Sequence, residues 1–430
     1  MRVLIYAYNY HPEPIGIAPL MTELAEGLVK RGHEVRVVTA MPNYPQRQIY
    51  DGYENKAFMT EERNGVIIQR SFVWVKPKPN LFDRVLLDGS FAISSMGQAL
   101  RGWRPDVILL TVPPLPVAVP ANLLGWIYKC PVVLNVQDIL PEAAVHVGLL
   151  TNPILIKAME KLEQFAYKTA HTISVIADGF IDNLAAKGVP PNKITCIPNW
   201  VDTNFIQPMD KLDNAFRRDY DLGDKFVVLY SGNIALTQGL ETVIETAQQM
   251  RDIPEILFVI VGEARALEKL QAYCDEKGVT NNVKLLPFQP RARLPEMLAA
   301  ADVSLIVQRK HVVSFNMPSK TQVILASGRP VIASVPSTGS AAKAVERSHG
   351  GLVVEPESPM ALAEAILQLQ TQPELAAAYG KQGRQHALDR YTFEQALNQY
   401  ESLFEQVVTS TQTSRLFNWR GKKSSANLSS

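Results

Sequence analysis

Lys320 is the residue best placed to do chemistry. It stands in the run Asn316-Met-Pro-Ser-Lys-Thr-Gln, ahead of the apolar Val323-Ile-Leu-Ala326 and a stop at Gly328. Pro suits the first turn of a helix and Ser caps one well, so Pro318 and Ser319 predict a helix start. An ammonium there stands beside unpaired N–H groups at the positive end of the helix dipole, and both attract an anion. Arg329-Pro330 then turns the chain into the strand-like Val331-Ile-Ala-Ser-Val335. Doubly wound α/β proteins hold phosphates with this order of parts. The same residues also fit a helix and strand with no ligand and a solvated lysine, so this stretch alone leaves both readings open. Asp138, Glu142 and His146 form a second group, two carboxylates and an imidazole just past the apolar run Pro131–Val136. Glu142 equally suits a helix start, and His146 equally suits a surface position. Gly262-Glu263 ends a third apolar run, where either a ligand contact or a plain turn fits.

The elements that must position these residues alternate strand and helix twice. Arg2–Ala7 predicts a strand, Ala18–Lys30 a helix with Leu20, Leu24 and Leu28 on one face, and Glu34–Thr39 the next strand. Gly16 lies in the loop between the first two. No G-x-G-x-x-G follows that strand, so the unit is not a dinucleotide fingerprint. Val66–Val75 predicts a strand, Leu81–Arg101 an apolar helix, Ile154–Ala170 another, and Thr172–Ile176 and Ile194–Ile197 short strands. The polar stretch 210–224 reads as a connection. The alternation then restarts with Phe226–Tyr230, the turn Gly232-Asn233, and strands at Ile256–Val261, Val283–Leu286 and Val303–Val307. Two starts imply two similar domains. Tyr391–Val408 predicts a final helix, and the Ser-rich residues 409–430 a disordered tail.

Composition sets the outer bounds. The 430 residues, 47% apolar and 20% charged, suit two soluble α/β domains. A formal charge of +1 gives no electrostatic case for nucleic acid. Cys130, Cys196 and Cys274 form no metal pattern and suit a reducing compartment. Val107–Tyr128 carries no charge, but Pro113, Pro114, Pro116 and Pro120 oppose a spanning helix. It reads as a buried strand, a loop and an apolar helix from Ala121 to Tyr128, with an apolar surface that can touch lipid.

Seven short pieces occur in one order along residues 1–405. They are the loop through Gly16, Gly32-His-Glu-Val35, Met41-Pro-Asn-Tyr-Pro45, Asp138-Ile-Leu-Pro-Glu142 and Ile197-Pro-Asn-Trp-Val-Asp202. Tyr230-Ser-Gly-Asn233 with Gln238-Gly-Leu240, and Pro318-Ser-Lys320 through Gly328-Arg-Pro-Val331, complete the set. In this set the chain resembles family 4 glycosyltransferases of the GT-B fold, especially those of bacterial exopolysaccharide and O-antigen (colanic-acid-type) biosynthesis.

The resemblance implies two facing Rossmann-like doubly wound domains, residues 1–205 on the acceptor side and 206–390 on the donor side. Residues 391–408 would be a crossover helix packing back on the first. It implies a retaining, metal-independent transfer from a nucleotide-sugar to a glycan or lipid-linked sugar acceptor, with no cofactor. It implies a cytoplasmic protein, peripheral at the inner membrane leaflet. Lys320, Ser319 and the amides near Gly16 and Gly232 would meet the phosphates, and Gly262 and Glu263 the base or ribose. Asp138, Glu142 or His146 would orient or deprotonate the acceptor hydroxyl. Two departures stand out. Phe315 and Val323 occupy the places where many relatives carry paired glutamates, which leaves Glu346 for the ribose hydroxyls. Asn233 and Thr237 stand where basic residues often follow Gly232. A non-catalytic relative in a glycan-assembly complex, or another GT-B enzyme such as a nucleotide-sugar epimerase, is the alternative.

Overall fold

A computed structural model of the protein describes residues 1–146, 148–211, 213–235, 237–312 and 317–426, with the backbone alone from 414 on. The amino-terminal elements are β1 (Arg2–Tyr6), α1 (Ala18–Lys30), β2 (Glu34–Ala40), β3 (Phe58–Arg63), β4 (Val66–Ser71) and α2 (Leu81–Ala99). There follow β5 (Val107–Val112), α3 (Ala118–Tyr128), β6 (Val132–Val136), α4 (Glu142–His146), α5 (Pro153–Thr169), β7 (Thr172–Val175), α6 (Asp178–Ala186) and β8 (Ile194–Cys196). Their strands form one sheet in the order β3-β4-β2-β1-β5-β6-β7-β8. All neighbours are parallel except the hairpin β3–β4. β5 and β6 are buried along their whole length, as strands covered by helices on both faces must be.

The second series is α7 (Ala215–Asp219), β9 (Phe226–Ser231), α8 (Glu241–Gln249), β10 (Ile256–Gly262), α9 (Ala264–Lys277), β11 (Val283–Pro287) and α10 (Leu294–Ala299). It continues with β12 (Val303–Val307), α11 (Lys320–Ala326), β13 (Val331–Ser334), α12 (Ser340–Ser348), β14 (Gly351–Val354), α13 (Pro359–Thr371), α14 (Pro373–Arg390) and α15 (Phe393–Ala426). This sheet is wholly parallel, in the order β11-β10-β9-β12-β13-β14. The direction of winding reverses between β9 and β12. Alternate residues of β9 feed two cores, Val227 and Leu229 on one face, Val228 and Tyr230 on the other. The chain thus divides into two units, one of residues 1–176, 183–197 and 397–430, the other of 177–182 and 198–396.

Several expectations are corrected. The main run of the first unit ends at Ile197, before residue 205. Trp200 and Val201 belong to the second unit, where Val201 N–H donates to the Tyr391 carbonyl over 2.8 Å. Residues 58–63, given no element in the sequence reading, form β3; charged, largely exposed side chains hid an edge strand. Residues 210–224, read as a connection, contain α7, which Asn214 caps by accepting from Arg217 N–H. The apolar helix α3 begins at Ala118 rather than Ala121, with Pro120 in its first turn, where a missing N–H is tolerated. The last helix passes Val408 and runs to Ala426, because the Ser/Thr/Gln-rich segment contains no proline. Among the described residues no helix is long and apolar enough to cross a membrane.

Candidate functional site

In the second unit, the loops after β9, β10 and β12 leave adjacent strands at their carboxyl ends, beside the point where the winding reverses. Ligands of open α/β sheets bind in that crevice. Lys320 opens α11 there, and its ammonium lies 3.6 Å from the centre of the Tyr230 ring. That contact is a cation–π interaction. The Tyr230 hydroxyl donates to the Asn233 carbonyl (2.8 Å), so the ring is held from both ends. Gly232 also lies against the ammonium. With φ +132° it occupies a conformation that side chains disfavour, and a Cβ there would stand 3.2 Å from Lys320 Nζ.

Lys320 Nζ is buried without a hydrogen-bond partner among the described residues. Burial pulls its pKa down to about 7. The adjacent Thr321 Oγ1 and Gln322 Oε1 are likewise buried and unpaired. A buried ammonium with three donors and no acceptor among the described residues is costly, and an anion is the group that would satisfy it.

The other expected donor-side residues divide. Gly232 N–H donates to the Val261 carbonyl (3.1 Å), and a Cβ on Gly262 would collide with Ile234, so both glycines let the loops after β9 and β10 close together. Asn233 is exposed and contributes its carbonyl to Tyr230. Glu263 is exposed at the start of α9, with its side chain free of any capping bond. Ser319 does not cap α11: its backbone is already helical and its side chain makes no capping bond. Glu346 is not brought to this site. It is exposed in the last turn of α12, about 9 Å along the axis from the helix start beside the strand ends. Val323 packs against the core, while Phe315 lies outside the described residues.

In the first unit, Asp138 follows β6 and is half-buried, with no hydrogen bond to its carboxylate from the described residues. Burial pushes that carboxyl up to about 6. Gly16 takes φ +70° ahead of α1, in a loop two strands away along the same sheet edge. Glu142 is occupied elsewhere. It accepts from Asn183 Nδ2 (2.7 Å), stands 3.6 Å from Lys187 Nζ, and lines a cavity of about 670 Å³ with Glu163 and Tyr167. His146 is exposed, its Nδ1 2.9 Å from the Glu142 carbonyl, which α4 itself supplies.

Sequence reasoning passed over Glu13. It is 4% exposed, and one of its oxygens accepts from the Asn43 and Tyr44 amides (both 2.8 Å), the other from Asn9 Nδ2 (2.6 Å). It thereby ties the loop after β1 to the loop after β2. Among the described residues no three His, Cys, Asp or Glu side chains converge as metal ligands would.

Residues 16–200 match the family described as glycosyl transferase 4-like domain, and residues 213–386 that described as glycosyl transferases group 1. The chain is 34% identical to the putative colanic acid biosynthesis glycosyl transferase WcaI of Escherichia coli (strain K12), over 86% of this chain and 92% of that one. Its fold is similar to that of sucrose-phosphate synthase from Thermosynechococcus elongatus (TM-score 0.70, 16% identity, covering 95% of this chain and 99% of that one). It is also similar to Anabaena HepE in complex with UDP-glucose (TM-score 0.69, 16% identity, 94% and 100%).

Proposed function

The chain belongs to the group 1 glycosyltransferases and has the GT-B fold, and from that premise we propose that it is a family 4, retaining, metal-independent enzyme of bacterial exopolysaccharide assembly. It moves a sugar from a nucleotide-sugar to a glycan acceptor that is lipid-linked. The observation that carries this reading is the buried ammonium of Lys320, which has no hydrogen-bond acceptor among the described residues.

The donor diphosphate supplies that acceptor. As the bond from the sugar C1 to the phosphate oxygen breaks, negative charge grows on the leaving diphosphate. A fixed ammonium with backbone N–H groups stabilises it most when the charge is greatest. The bond from C1 to the acceptor oxygen forms, and the acceptor's hydroxyl proton passes to an oxygen of the departing diphosphate. Asp138 accepts a hydrogen bond from that hydroxyl and orients it. A membrane-surface acceptor suits the exposed apolar side chains of α2 and α3, among them Phe82, Val85, Trp126 and Ile127.

The test is transfer from a panel of radiolabelled UDP- and GDP-sugars to a lipid extract of the host strain deleted for this gene, read by mass spectrometry. Wild type should add one sugar, and Lys320→Ala should add it far more slowly. No product with any donor overturns the proposal. That result would favour a non-catalytic partner, the reading that Val323 in place of a polar residue also fits.

A further inference from the structure

Asp88, on α2, has no place in the site so far described. Three contacts on one face of that helix fix where it stands. The Ser95 and Tyr6 hydroxyls share a hydrogen bond, beside the last residue of β1. Phe91 packs edge-on against Tyr6 (6.1 Å between centres) and against Tyr8 (5.2 Å), which lies beyond that strand. Passing from Ser95 to Phe91 therefore carries the contact from the strand to the loop past its carboxyl end. Asp88 is one turn further, three residues before Phe91 and so on the same face. Helical side chains lean toward the amino terminus, which carries its carboxylate further out over that edge. This is the edge of the first unit where ligands of such sheets bind, two strands from Asp138.

The surroundings are built rather than loose. Tyr8 and Asn43 are hydrogen-bonded to each other, with Asn43 Nδ2 3.2 Å from the tyrosine oxygen. Asn43 and Tyr44 are in turn held by Glu13. Arg47, from the same loop, and Arg84, one turn back on α2, are near enough to draw the Asp88 carboxyl down, yet burial outweighs them and pushes it up to about 7. Neither arginine forms an ion pair with it among the described residues. A helical Arg84–Asp88 pair would also have the less favourable order, with the cation toward the amino terminus. Asp88 is half-buried and its carboxylate receives no hydrogen bond from the described residues, so it is free to accept one from a ligand.

We propose that Asp88 is an acceptor-binding residue of the first unit, its carboxylate receiving a hydroxyl of the acceptor sugar. The inference rests on the reading of the chain as a glycosyltransferase. It places a second carboxylate beside the role given to Asp138, at a site suited to a polyhydroxylated ligand.

The experiment compares full-length wild type, Asp88→Ala and Asp88→Asn in the same transfer reaction, with the lipid extract varied and the donor saturating. Binding of UDP and GDP and the melting temperature are measured alongside. In Asp88→Ala the concentration of extract giving half-maximal rate should rise about 10- to 100-fold, the scale of a lost hydrogen bond to a charged group. Asp88→Asn should fall between, since its amide still accepts a hydrogen bond. Diphosphate affinity and melting temperature should stay at the wild-type values. An unchanged half-maximal concentration in both variants overturns the proposal. So does a joint loss of melting temperature and diphosphate binding, which would mark a structural role. No transfer by wild type would instead overturn the functional reading and this one with it.

Discussion

Lys320 is a residue whose folded environment works against its own charge. Burial lowers its pKa to about 7, while an unfolded lysine titrates near ~10.4. Between those values the unfolded chain holds a proton that the folded chain lacks, so this group makes stability rise with pH, and its cost is fully present below about pH 7. Lys320→Met, apolar and of similar length, should therefore stabilise the ligand-free protein at pH 6 by about 1–3 kcal/mol, the cost of an unsatisfied buried polar group. Thermal unfolding checks this, and an unchanged or lower midpoint counts against it. Asp138 carries the opposite signature. Its carboxyl, raised to about 6, accepts the acceptor's hydroxyl most strongly when ionised. The transfer rate should fall as pH drops through about 6, and Asp138→Asn should lose that limb in a pH–rate profile. The sequence revealed Lys320 because a Pro-Ser-Lys run before an apolar helix is a local signal. It did not reveal the Tyr230 ring beneath the ammonium, because that contact joins residues far apart in the chain. Nor could it separate Asp138 from Glu142, whose partners Asn183 and Lys187 are set by tertiary packing.

At the scale of elements, loops at strand ends do the positioning. Gly232 combines φ +132° with an approach that leaves 3.2 Å between an added Cβ and Lys320 Nζ. Gly232→Ala should displace the ammonium and weaken nucleoside diphosphate binding at least about tenfold, the loss expected of a displaced charge-assisted hydrogen bond. Circular dichroism should show the fold retained, and wild-type affinity would contradict the assignment. Glu13 joins two loops of the first unit through two hydrogen bonds and accepts a third within its own loop, so Glu13→Ala leaves the buried Asn43 amide without its acceptor. It should cost about 1–3 kcal/mol of stability and speed amide exchange in residues 9–16 and 41–48 first. The strands of both sheets were legible because buried parallel strands read as continuous apolar runs. β3 was not, although Asn64 and Gly65, both at positive φ, mark the hairpin turn that follows it. Ser319 is a sequence-level cap that the chain does not use, since its backbone has already entered the helical turn.

For the whole molecule, the repeated β/α alternation sufficed to give two units with parallel sheets, and seven motifs in order pointed to the family. The second sheet's order, β11-β10-β9-β12-β13-β14, and the length of α15 came only from the structure, because strand order and helix ends depend on long-range packing. On the proposed membrane reading, the exposed side chains of α2 and α3 should give partial flotation with anionic vesicles at low salt, reduced in Phe82→Ser/Trp126→Ser; no binding at any salt would refute that reading. The most direct measurement is calorimetric titration of wild type and Lys320→Ala with UDP and GDP at pH 8, in buffers of different ionisation enthalpy. Wild type should bind at least one of the two and take up close to one proton, because Lys320 is largely neutral there until the diphosphate charges it. Lys320→Ala should bind about 10- to 150-fold more weakly, without that uptake. Equal affinity and equal proton uptake in the two proteins would contradict the assignment of the donor diphosphate to Lys320.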